Sequence, residues 1–596
     1  MSHENIQAQN ESPGVSPEWR TPAEKSDYRE TPTFDETIAF AKRLDDASPL
    51  IRLTGFGKSG EGRTLPLIIA AKGGTLTPES ARKAGKAVVL IQACIHAGET
   101  DGKDAGLALL RDIAITKTRE SLLDRVVVIF IPIYNADGHE RRSPFNRINQ
   151  NGPAEMGWRG NATNLNLNRD YLKADAPETR AWLKLWNEWQ PDLFIDCHVT
   201  DGADFRYNLT YQFEQHENVS ASVAEWSREA FDKRIMPAAE AYGNLISPYM
   251  EFRDNRDPLK GIDSFVSTPR FATGYVPVAR NRPALLIETH MLKEHRSRVR
   301  GTYDILRAAL EEVNRDPESL IRAGRIADEE ATAFGKTYDP ARRVALSVKL
   351  TDKPTEKLLK GWDYRTELSD VSGAVRVVWG TKPLDMTVPY YTEAKPVVSV
   401  TPPLYYIIPP QWKEAVGVLA AHGVLMKRLT NPATLEVESY RFRDVKADPS
   451  SRGTFASFEG RVLVNFQSEL VREKRTYPAG SVVVPMAQAA SRAAMQMLEP
   501  DAPDSLVVWG FFHPIFEQKE YGEDYVVEKL AREMMSKDAN LRREFESRVA
   551  TDPKFASSAS QRLQFFYERS PYRDRQMNLY PVGRINVPLE AMLSNY

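Results

Sequence analysis

The stretch AVVLIQACIHAGET, residues 87–100, decides the fold class. Its continuous apolar run ends at His96, and Glu99 follows three residues later. An uninterrupted apolar run of this length, bounded by a turn, is typical of a strand that is buried on both faces of a sheet. Such a strand delivers His96 and Glu99 to a loop at its carboxyl end, where open α/β sheets bind ligands. An imidazole and a carboxylate at this spacing offer the donors that zinc accepts. The alternative is a buried His that precedes a helix-capping Glu.

Three further apolar runs have the same character: residues 125–134 (RVVVIFIPIY), 192–197 (DLFIDC) and 283–287 (PALLI). Segments whose apolar residues have helical spacing lie between these runs, and a long amphipathic helix is predicted at about His295–Arg315. Buried strands that alternate with helices predict an α/β fold with a mostly parallel sheet. The connections at about 144–160 and 200–280 are long and irregular, and such loops at strand ends usually carry function.

We expect at least two domains, because 596 residues are too many for one hydrophobic core. We predict a flexible lead-in at residues 1–33, rich in Glu, Ser and Pro, and an α/β domain at residues 34–316. A second domain follows at residues 317–596. Its short strands with turn signals, one intervening helix and helical end predict a β-rich α+β domain.

Composition limits the partners and the compartment. The chain is 42% hydrophobic and 27% charged, which is ordinary for a soluble protein, and its net charge of −2 gives no broad basic surface for nucleic acid. No apolar run approaches the roughly 20 residues of a membrane helix. Cys94 and Cys197 lie in apolar strands, and we expect both to be buried and free. The N-terminus has no apolar core of the signal-peptide type, so we expect a cytoplasmic protein, or a periplasmic or secreted one whose leader was removed.

Four side chains stand at or just past the ends of three apolar strands: His96, Glu99, His198 and Glu288. Two His and one Glu leave a coordination position on zinc for water, which is the catalytic kind of site. Zinc lowers the pKa of that water toward about 7 and polarises a carbonyl. Glu288, near but not on the metal, could take the proton of the water and pass it to the leaving group. A buried Glu paired with an arginine is the alternative for Glu288.

The loop between the second and third apolar strands carries Trp158-Arg159 and Asn168-Arg169. Hydrolysis needs positive charge where the oxyanion forms, and Arg159 could supply it. Asn168 and Arg169 could hold a planar carboxylate, because a guanidinium presents a matching fork of donors. Turns and surface ion pairs are the alternative for each of these residues alone.

In their order along the chain, these motifs resemble the zinc carboxypeptidases, the carboxypeptidase A-like metallopeptidases. The resemblance spans about residues 35–315 and consists of GKSGEGRTLPL (57–67), HAGE (96–99), IYNADG (133–138), Trp158-Arg159, NRD (168–170), His198 and LLIETH (285–290). It implies a mixed eight-stranded sheet between helices. It also implies one zinc ion per chain on His96, Glu99 and His198. The remaining implied roles are Glu288 as general base and acid, Arg159 as oxyanion stabiliser, and Asn168 and Arg169 on the terminal carboxylate of the substrate.

The chain departs from the family pattern at two positions. Typical members carry Arg between the His and Glu of the first motif, where this chain has Ala97-Gly98, so one carboxylate contact is missing. Members often carry Asp where this chain has Asn166, and an amide accepts a weaker hydrogen bond from a zinc-bound His. Arg270 is our candidate to replace the missing Arg. Tyr275 is our candidate for the substrate-capping Tyr of the family, with a structural Tyr as the alternative.

The resemblance implies a zinc-dependent metallocarboxypeptidase that hydrolyses the C-terminal peptide bond by Glu288-assisted attack of zinc-bound water. Its partner would be a peptide or a peptide-like substrate, with neither nucleic acid nor membrane involved. One alternative is a zinc amidohydrolase of the same fold that acts on cell-wall peptides, γ-glutamyl bonds or acylated amino acids, because the loss of one carboxylate-binding Arg could open the site. A second alternative is a non-catalytic binding module.

Overall fold

The structure is a computed structural model that describes residues 15–200, 203–449, 457–589 and 593–594. Its strands are β1 (Ile51–Lys58), β2 (Thr64–Ala70), β3 (Ala87–Ala93), β4 (Val126–Ile131), β5 (Leu193–Thr200), β6 (Leu209–Gln212), β7 (Ile246–Pro248), β8 (Met250–Phe252), β9 (Ile262–Ser264), β10 (Ala284–His290), β11 (Val344–Leu350), β12 (Pro354–Leu368), β13 (Val375–Tyr391), β14 (Ala394–Val400), β15 (Tyr405–Ile408), β16 (Lys427–Leu429), β17 (Ala433–Ala447), β18 (Val464–Tyr477), β19 (Val482–Pro485), β20 (Gly583–Ile585) and β21 (Leu593–Ser594). Its α-helices are α1 (Pro22–Lys25), α2 (Phe34–Ala47), α3 (Pro78–Lys83), α4 (Asp101–Ala114), α5 (Ala136–Glu140), α6 (Pro177–Trp189), α7 (Ala221–Ser227), α8 (Met236–Ala241), α9 (Ala272–Ala279), α10 (His295–Arg315), α11 (Pro317–Ala333), α12 (Lys413–Ala421), α13 (Ser491–Leu498), α14 (Asp524–Lys537), α15 (Ala539–Thr551), α16 (Pro553–Ser557) and α17 (Ala559–Tyr567).

Eight strands form the main sheet in the order β1-β2-β4-β3-β5-β10-β6-β7. The central strands β4, β3, β5 and β10 run parallel, whereas β1, β2 and β6 join by antiparallel pairing. Every residue of β3 and β4 is buried, as their unbroken apolar runs require. The predicted mixed, mostly parallel sheet of eight strands is confirmed.

The central strands place the candidate ligands at one edge of the sheet. After β3 the backbone turns at Cys94, which has a φ of 57°, and the loop that follows carries His96 and Glu99 into the start of α4. In the parallel pair β5 and β10, His198 stands directly opposite Glu288. Residues in register on parallel neighbours project from the same face of the sheet, so these two side chains are neighbours.

The segment from 203 to 280 differs from the predicted irregular connection. It holds the strands β6 to β9, the helices α7 to α9 and an intervening π-helical segment, Arg228–Ile235. The strands have three or four residues each, which is too short for a period-2 pattern to show in the sequence.

The part of the chain after α11 is β-rich with a helical end, as predicted. A seven-stranded sheet has the order β18-β17-β20-β15-β19-β16-β21, and the long strands β12 and β13 form a separate hairpin. One hydrophobic cluster joins the two parts of the chain, since Trp182 and Tyr275 pack in the same buried cluster as Val418 and Trp509. The boundary at residue 316 stays a prediction.

Two further expectations can be compared with the described residues. Cys94 and Cys197 are buried and free, as expected. Among the helices that the structure describes, none has the length and apolar character needed to span a bilayer.

Candidate metal centre

Three side chains from two distant parts of the chain meet at the carboxyl ends of the central strands. His96 Nδ1 is 3.1 Å from Glu99 Oε1 and 3.2 Å from His198 Nδ1, and His198 Nδ1 is 3.0 Å from Glu99 Oε2. All three side chains are buried, and their ligand atoms lie within 4.8 Å of one another. The structure thus brings together the three predicted zinc ligands.

The outer nitrogen of each imidazole already has an acceptor. His96 Nε2 donates to Asn166 Oδ1 at 3.2 Å, and His198 Nε2 donates to Asp196 Oδ2 at 2.9 Å. A ring whose Nε2 donates outward has its Nδ1 lone pair directed at the carboxylate of Glu99 when it is neutral. Three lone-pair donors this close repel one another unless a cation lies among them. Ligand atoms on a tetrahedral zinc ion stand about 3.3 Å apart, so the donor set fits zinc.

A chain of buried side chains holds His198 in this orientation. Asp196 lies two residues before His198 in β5, hence on the same face of the strand. Asp196 Oδ1 accepts a hydrogen bond from Gln92 Nε2 at 3.0 Å, and Gln92 Oε1 accepts one from the hydroxyl of Tyr171 at 3.1 Å. Partners of this kind fix the ring and its tautomer in metal sites.

The electrostatics of the centre keep the Glu99 carboxylate ionised. Burial raises the pKa of Glu99, but the nearby His96 and Arg147 outweigh burial and hold that pKa well below its usual value. Burial lowers the pKa of His96 well below its usual value, which favours the neutral ring. Burial also lowers the pKa of His198, but the charge and hydrogen bond of Asp196 and the hydrogen bond to Glu99 raise it well above its usual value.

Glu288 stands beside the three ligands. It faces His198 in the register of β5 and β10, and its charge contributes to the raised pKa of His198. On its other side it is paired in register with Thr210 of β6. A carboxylate is therefore next to the candidate metal position without being one of the three converging ligands.

Arg159 reaches the centre from the loop after β4. Its Nη1 is 3.5 Å from Glu99 Oε1, and 44% of its side chain is exposed. The NADG motif fixes this loop: Asn135 Oδ1 accepts the N–H of Gly138 at 2.9 Å, and Asn135 Nδ2 donates to the carbonyl of Arg159 at 3.1 Å. The guanidinium is thus anchored through its backbone and exposed at its tip.

Arg147 is a site residue that the sequence analysis missed. Its Nη1 lies 2.8 Å from Glu99 Oε1, and its Nε donates to Gln150 Oε1 at 3.1 Å. Its aliphatic stem packs on Gly98, where an added Cβ would lie 2.9 Å from Arg147 Cγ and 2.8 Å from the carbonyl oxygen of Gly157. A side chain at position 98 would therefore displace this arginine. The chain supplies an arginine beside Glu99 from the 144–160 connection.

Asn168 and Arg169 lie in one turn, close to the centre. Asn168 Oδ1 accepts the N–H of Ala272 at 3.0 Å, and the guanidinium of Arg169 lies over the ring of Phe271, 4.1 Å from its centroid. Burial and then the nearby Arg159 lower the pKa of Arg169 to about 10, so these two guanidiniums are neighbours. Two cations that repel one another favour an anion between or beside them.

Arg270 and Tyr275 are placed differently from their predicted roles. Arg270 is held by Asp504, with Nε 2.5 Å from Oδ1 and the backbone N–H on Oδ2 at 2.8 Å. Tyr275 is fully buried in the shared hydrophobic cluster, and its hydroxyl is 2.6 Å from His422 Nδ1. Arg147, not Arg270, occupies the place beside Glu99. The structure favours the structural alternative for Tyr275, because a mobile capping residue would need an exposed side chain.

Two signals in the sequence point to the missed residues. Asp196 and His198 have the i, i+2 spacing that puts two side chains on one face of a strand. Gly98 leaves the space that the stem of Arg147 fills, and glycine at such a position often marks a close approach of other atoms. Neither signal identifies Arg147 by itself, since several arginines lie in the same irregular loop.

Comparison with known proteins finds similarity to zinc carboxypeptidases. Residues 37–250 match the family model described as zinc carboxypeptidase. The chain is 26% identical over 522 residues to carboxypeptidase 2 of Trichophyton rubrum, covering 83% of this chain and 88% of that protein. Carboxypeptidase 2 of Trichophyton equinum is 25% identical, with 85% and 91% covered. A metallo-carboxypeptidase from Burkholderia cenocepacia matches 47% of this chain and 69% of its own, with 17% identity and a TM-score of 0.36.

The family match contains the loop of His96 and Glu99, the loop of Arg159 and the strand of His198, which are the elements that form the centre described above. The match of residues 37–250 to the zinc carboxypeptidase model, together with relatives named carboxypeptidase, confirms the resemblance found in the sequence and supports an enzyme, a metallocarboxypeptidase.

Proposed function

We propose that this enzyme holds one zinc ion on His96, Glu99 and His198 and removes the C-terminal residue of a peptide by hydrolysis. The observation that carries the proposal is the convergence of three lone-pair donors at 3.0–3.2 Å, with the carboxylate of Glu288 in register beside them. A zinc ion bound there would supply a Lewis acid that polarises a carbonyl and makes water more acidic.

Glu288 is the proposed proton carrier. Its carboxylate would take a proton from the attacking water and deliver it to the nitrogen of the departing amino acid. Its position in the middle of β10, between β5 and β6, fixes it against the centre better than a loop would. Arg159 would donate hydrogen bonds to the oxygen that becomes negative during attack, because its exposed tip can turn from Glu99 toward the substrate.

Asn168 and Arg169 would bind the terminal carboxylate of the peptide. The stacking of Arg169 on Phe271 fixes the plane of its guanidinium. The repulsion between Arg159 and Arg169, which lowers the pKa of Arg169, is relieved when a carboxylate lies between them. A substrate with a free C-terminus thus fits this part of the site better than one without it.

The test compares a short peptide that has a free C-terminal carboxylate with the same peptide as its C-terminal amide. We expect release of the terminal residue from the free acid, at least about 100-fold slower cleavage of the amide, and one zinc ion per chain by elemental analysis. A chelator should abolish activity, and added zinc should restore it. Equal cleavage of acid and amide would exclude exopeptidase action, and an active chain without metal would exclude the zinc assignment.

A further inference from the structure

Two adjoining cavities lie outside the metal centre, between the N-terminal segment around α1 and the helices α4 and α10. Their volumes are about 660 and 460 Å³. They share Asp27, Tyr28, Arg296 and Arg300, so they form one groove on this side of the molecule. None of the candidate metal ligands, nor Arg147 or Arg159, lines either cavity.

The larger cavity is positively charged, although the chain as a whole has a net charge of −2. Six arginines line it: Arg20, Arg111, Arg119, Arg296, Arg300 and Arg307. Four carboxylates stand against them: Glu24, Asp27, Asp112 and Asp304. The cavity therefore has two more cationic than anionic side chains, and an enclosed space with an excess of one sign concentrates ions of the other.

Half of these arginines are already paired. Arg111 binds Glu24 at 2.8 Å and Asp112 at 2.7 Å, Arg296 binds Asp27, and Arg307 binds Glu311 at 2.8 Å. These three side chains therefore hold the walls together.

The other half have no carboxylate. Within the part of the chain that the structure describes, Arg20, Arg119 and Arg300 form no ion pair with Asp or Glu at 4.0 Å or less. The Nε of Arg119 is buried without a hydrogen-bond partner among the described residues. A guanidinium on the wall of a cavity that has no carboxylate partner can bind an anion from the cavity.

We propose that this cavity binds a small molecule through a phosphate group. The three unpaired guanidiniums come from three segments: Arg20 precedes α1, Arg119 follows α4, and Arg300 lies in α10. Planar guanidinium forks match the oxygens of phosphate, and its negative charge opposes the guanidiniums that have no carboxylate partner. A volume of about 660 Å³ lies in the range of small-molecule sites and exceeds what phosphate alone fills. The rings of Tyr28 and Tyr303 offer surface for the rest of the ligand.

Calorimetric titration of the full chain with inorganic phosphate and with adenosine 5′-monophosphate, at constant ionic strength, tests the proposal. We expect saturable binding of one ligand per chain, and at least tenfold weaker binding in the double variant Arg119→Gln/Arg300→Gln. Tighter binding of the nucleotide identifies an organic phosphate as the ligand class, and equal binding identifies the phosphate itself. Arg325→Gln, on the exposed face of α11, is the control and should bind as the parent does.

Two results would overturn the proposal. One is binding that is absent, or that is unchanged in the double variant, because phosphate would then bind elsewhere or only screen charge. The other concerns stability without ligand: since the substituted arginines form no ion pair with Asp or Glu among the described residues, the melting temperature should stay level or rise at low salt. A clear fall would mean that they pair within the chain itself. Both readouts are independent of peptidase activity, so the outcome does not depend on the proposed function.

Discussion

The two parts of the molecule each bury a glutamate among polar partners, and the partners differ in kind. In the C-terminal part, Glu499 accepts hydrogen bonds from the hydroxyls of Tyr406 and Tyr440 and lies 3.1 Å from Arg584 Nε. Every one of these partners is a donor. At the metal centre, Glu99 meets donors too, but it also meets two imidazole nitrogens whose rings already donate on their far sides.

This difference distinguishes a structural hydrogen-bond network from a candidate metal site. Around Glu499 each carboxylate oxygen accepts from a tyrosine hydroxyl and an arginine stands beside it, so this carboxylate is satisfied without any further group. Around Glu99 two imidazole nitrogens converge on the carboxylate, each on a ring whose far nitrogen already donates, and a metal ion at their centre would bind all three side chains. Burial is alike in the two places, since both glutamates are at most 2% exposed. The balance of donors and acceptors therefore identifies the functional carboxylate, and burial does not.

Removing one imidazole should have the largest effect, and only at the metal centre. His96→Ala leaves two of the three converging ligands, so we expect loss of zinc and a fall in kcat/KM of at least about 1,000-fold. Elemental analysis and a peptide assay measure the two quantities. The matched variant Glu499→Gln should keep its zinc and its kcat. Zinc retained at full occupancy in His96→Ala would show that the convergence around Glu99 is not a metal site.

Glu288→Gln should separate metal binding from proton transfer. The amide has nearly the same shape but cannot accept the proton of the attacking water, so we expect kcat to fall by about 100- to 10,000-fold. Zinc content should stay at one per chain, because Glu288 is not among the converging ligands. Glu329→Gln on the exposed face of α11 serves as the control. A variant that keeps the parental rate would remove Glu288 from the mechanism.

Arg584→Met should reverse the pattern, with a loss of stability and no loss of activity. The change leaves the buried Glu499 without its cation and removes a contact of 3.3 Å to Glu438. Breaking a buried pair from one side costs about 3–5 kcal/mol, which urea unfolding would measure. Arg472→Met tests the same Glu438 from the surface, where the arginine is 81% exposed, and should cost about 0–1 kcal/mol. Equal losses of unfolding free energy in Arg584→Met and Arg472→Met would contradict the distinction between the buried network and the surface pair.

The sequence predicted site residues correctly where a residue pattern has a single structural explanation. His96, Glu99, His198 and Glu288 follow apolar runs, and because parallel strands end at one edge of a sheet, the runs predict that these side chains meet. Arg147 was not predictable in this way, since its contact with Glu99 depends on the path of an irregular loop and on the space at Gly98.

The long strand β12 was not predictable from the sequence, for a different reason. It is mostly exposed or half-exposed along its length, so neither face selects for apolar residues and no alternation marks it. The sequence did not decide between the two roles considered for Tyr275, because an aromatic residue in a loop before a strand has the same local pattern whether it faces solvent or the core. Only the packing of α9 against the C-terminal part decides that it is buried.

A third buried carboxylate, Glu214, extends the comparison because no Lys, Arg or His in the described part of the chain forms an ion pair with it. Its Oε1 accepts from Gln212 Nε2 at 2.7 Å and from the backbone N–H of Ser267 at 2.5 Å, and burial raises its pKa to about 7. A raised pKa means that the folded state binds the proton more tightly. The contribution to stability is thus complete below about pH 4.5 and is lost as pH rises through about 7, by about 3 kcal/mol in all.

Glu214→Gln removes this dependence. We expect the variant to be more stable than the parent at pH 8 and to differ little from it at pH 5, as measured by urea unfolding at both values. Glu217→Gln, at an exposed position three residues later, should show no such difference between the two pH values. If the gain in Glu214→Gln were the same at pH 5 and pH 8, ionisation of Glu214 would not be its cause.

The smallest effect should come from Arg147, which acts on the metal only through Glu99. Arg147→Met keeps a stem on Gly98 but removes the guanidinium that lies 2.8 Å from Glu99 Oε1. The substitution has two opposite effects on zinc affinity. Loss of a positive charge near the metal favours zinc binding, whereas loss of the donor that orients the Glu99 carboxylate weakens it. Outer partners of metal ligands are generally worth 10- to 100-fold in metal affinity, so we expect zinc to bind about that much more weakly. Competition with a chelator measures this zinc affinity without an assay of activity.

Arg147→Lys should recover part of the affinity. Gly98→Ala should weaken zinc as well, because its new Cβ would lie 2.9 Å from Arg147 Cγ and push the arginine away from Glu99. If both Arg147→Met and Gly98→Ala bound zinc as tightly as the parent does, the Glu99 carboxylate would be oriented without Arg147. The backbone N–H of Val199, 3.0 Å from Oε2, would then be its remaining support.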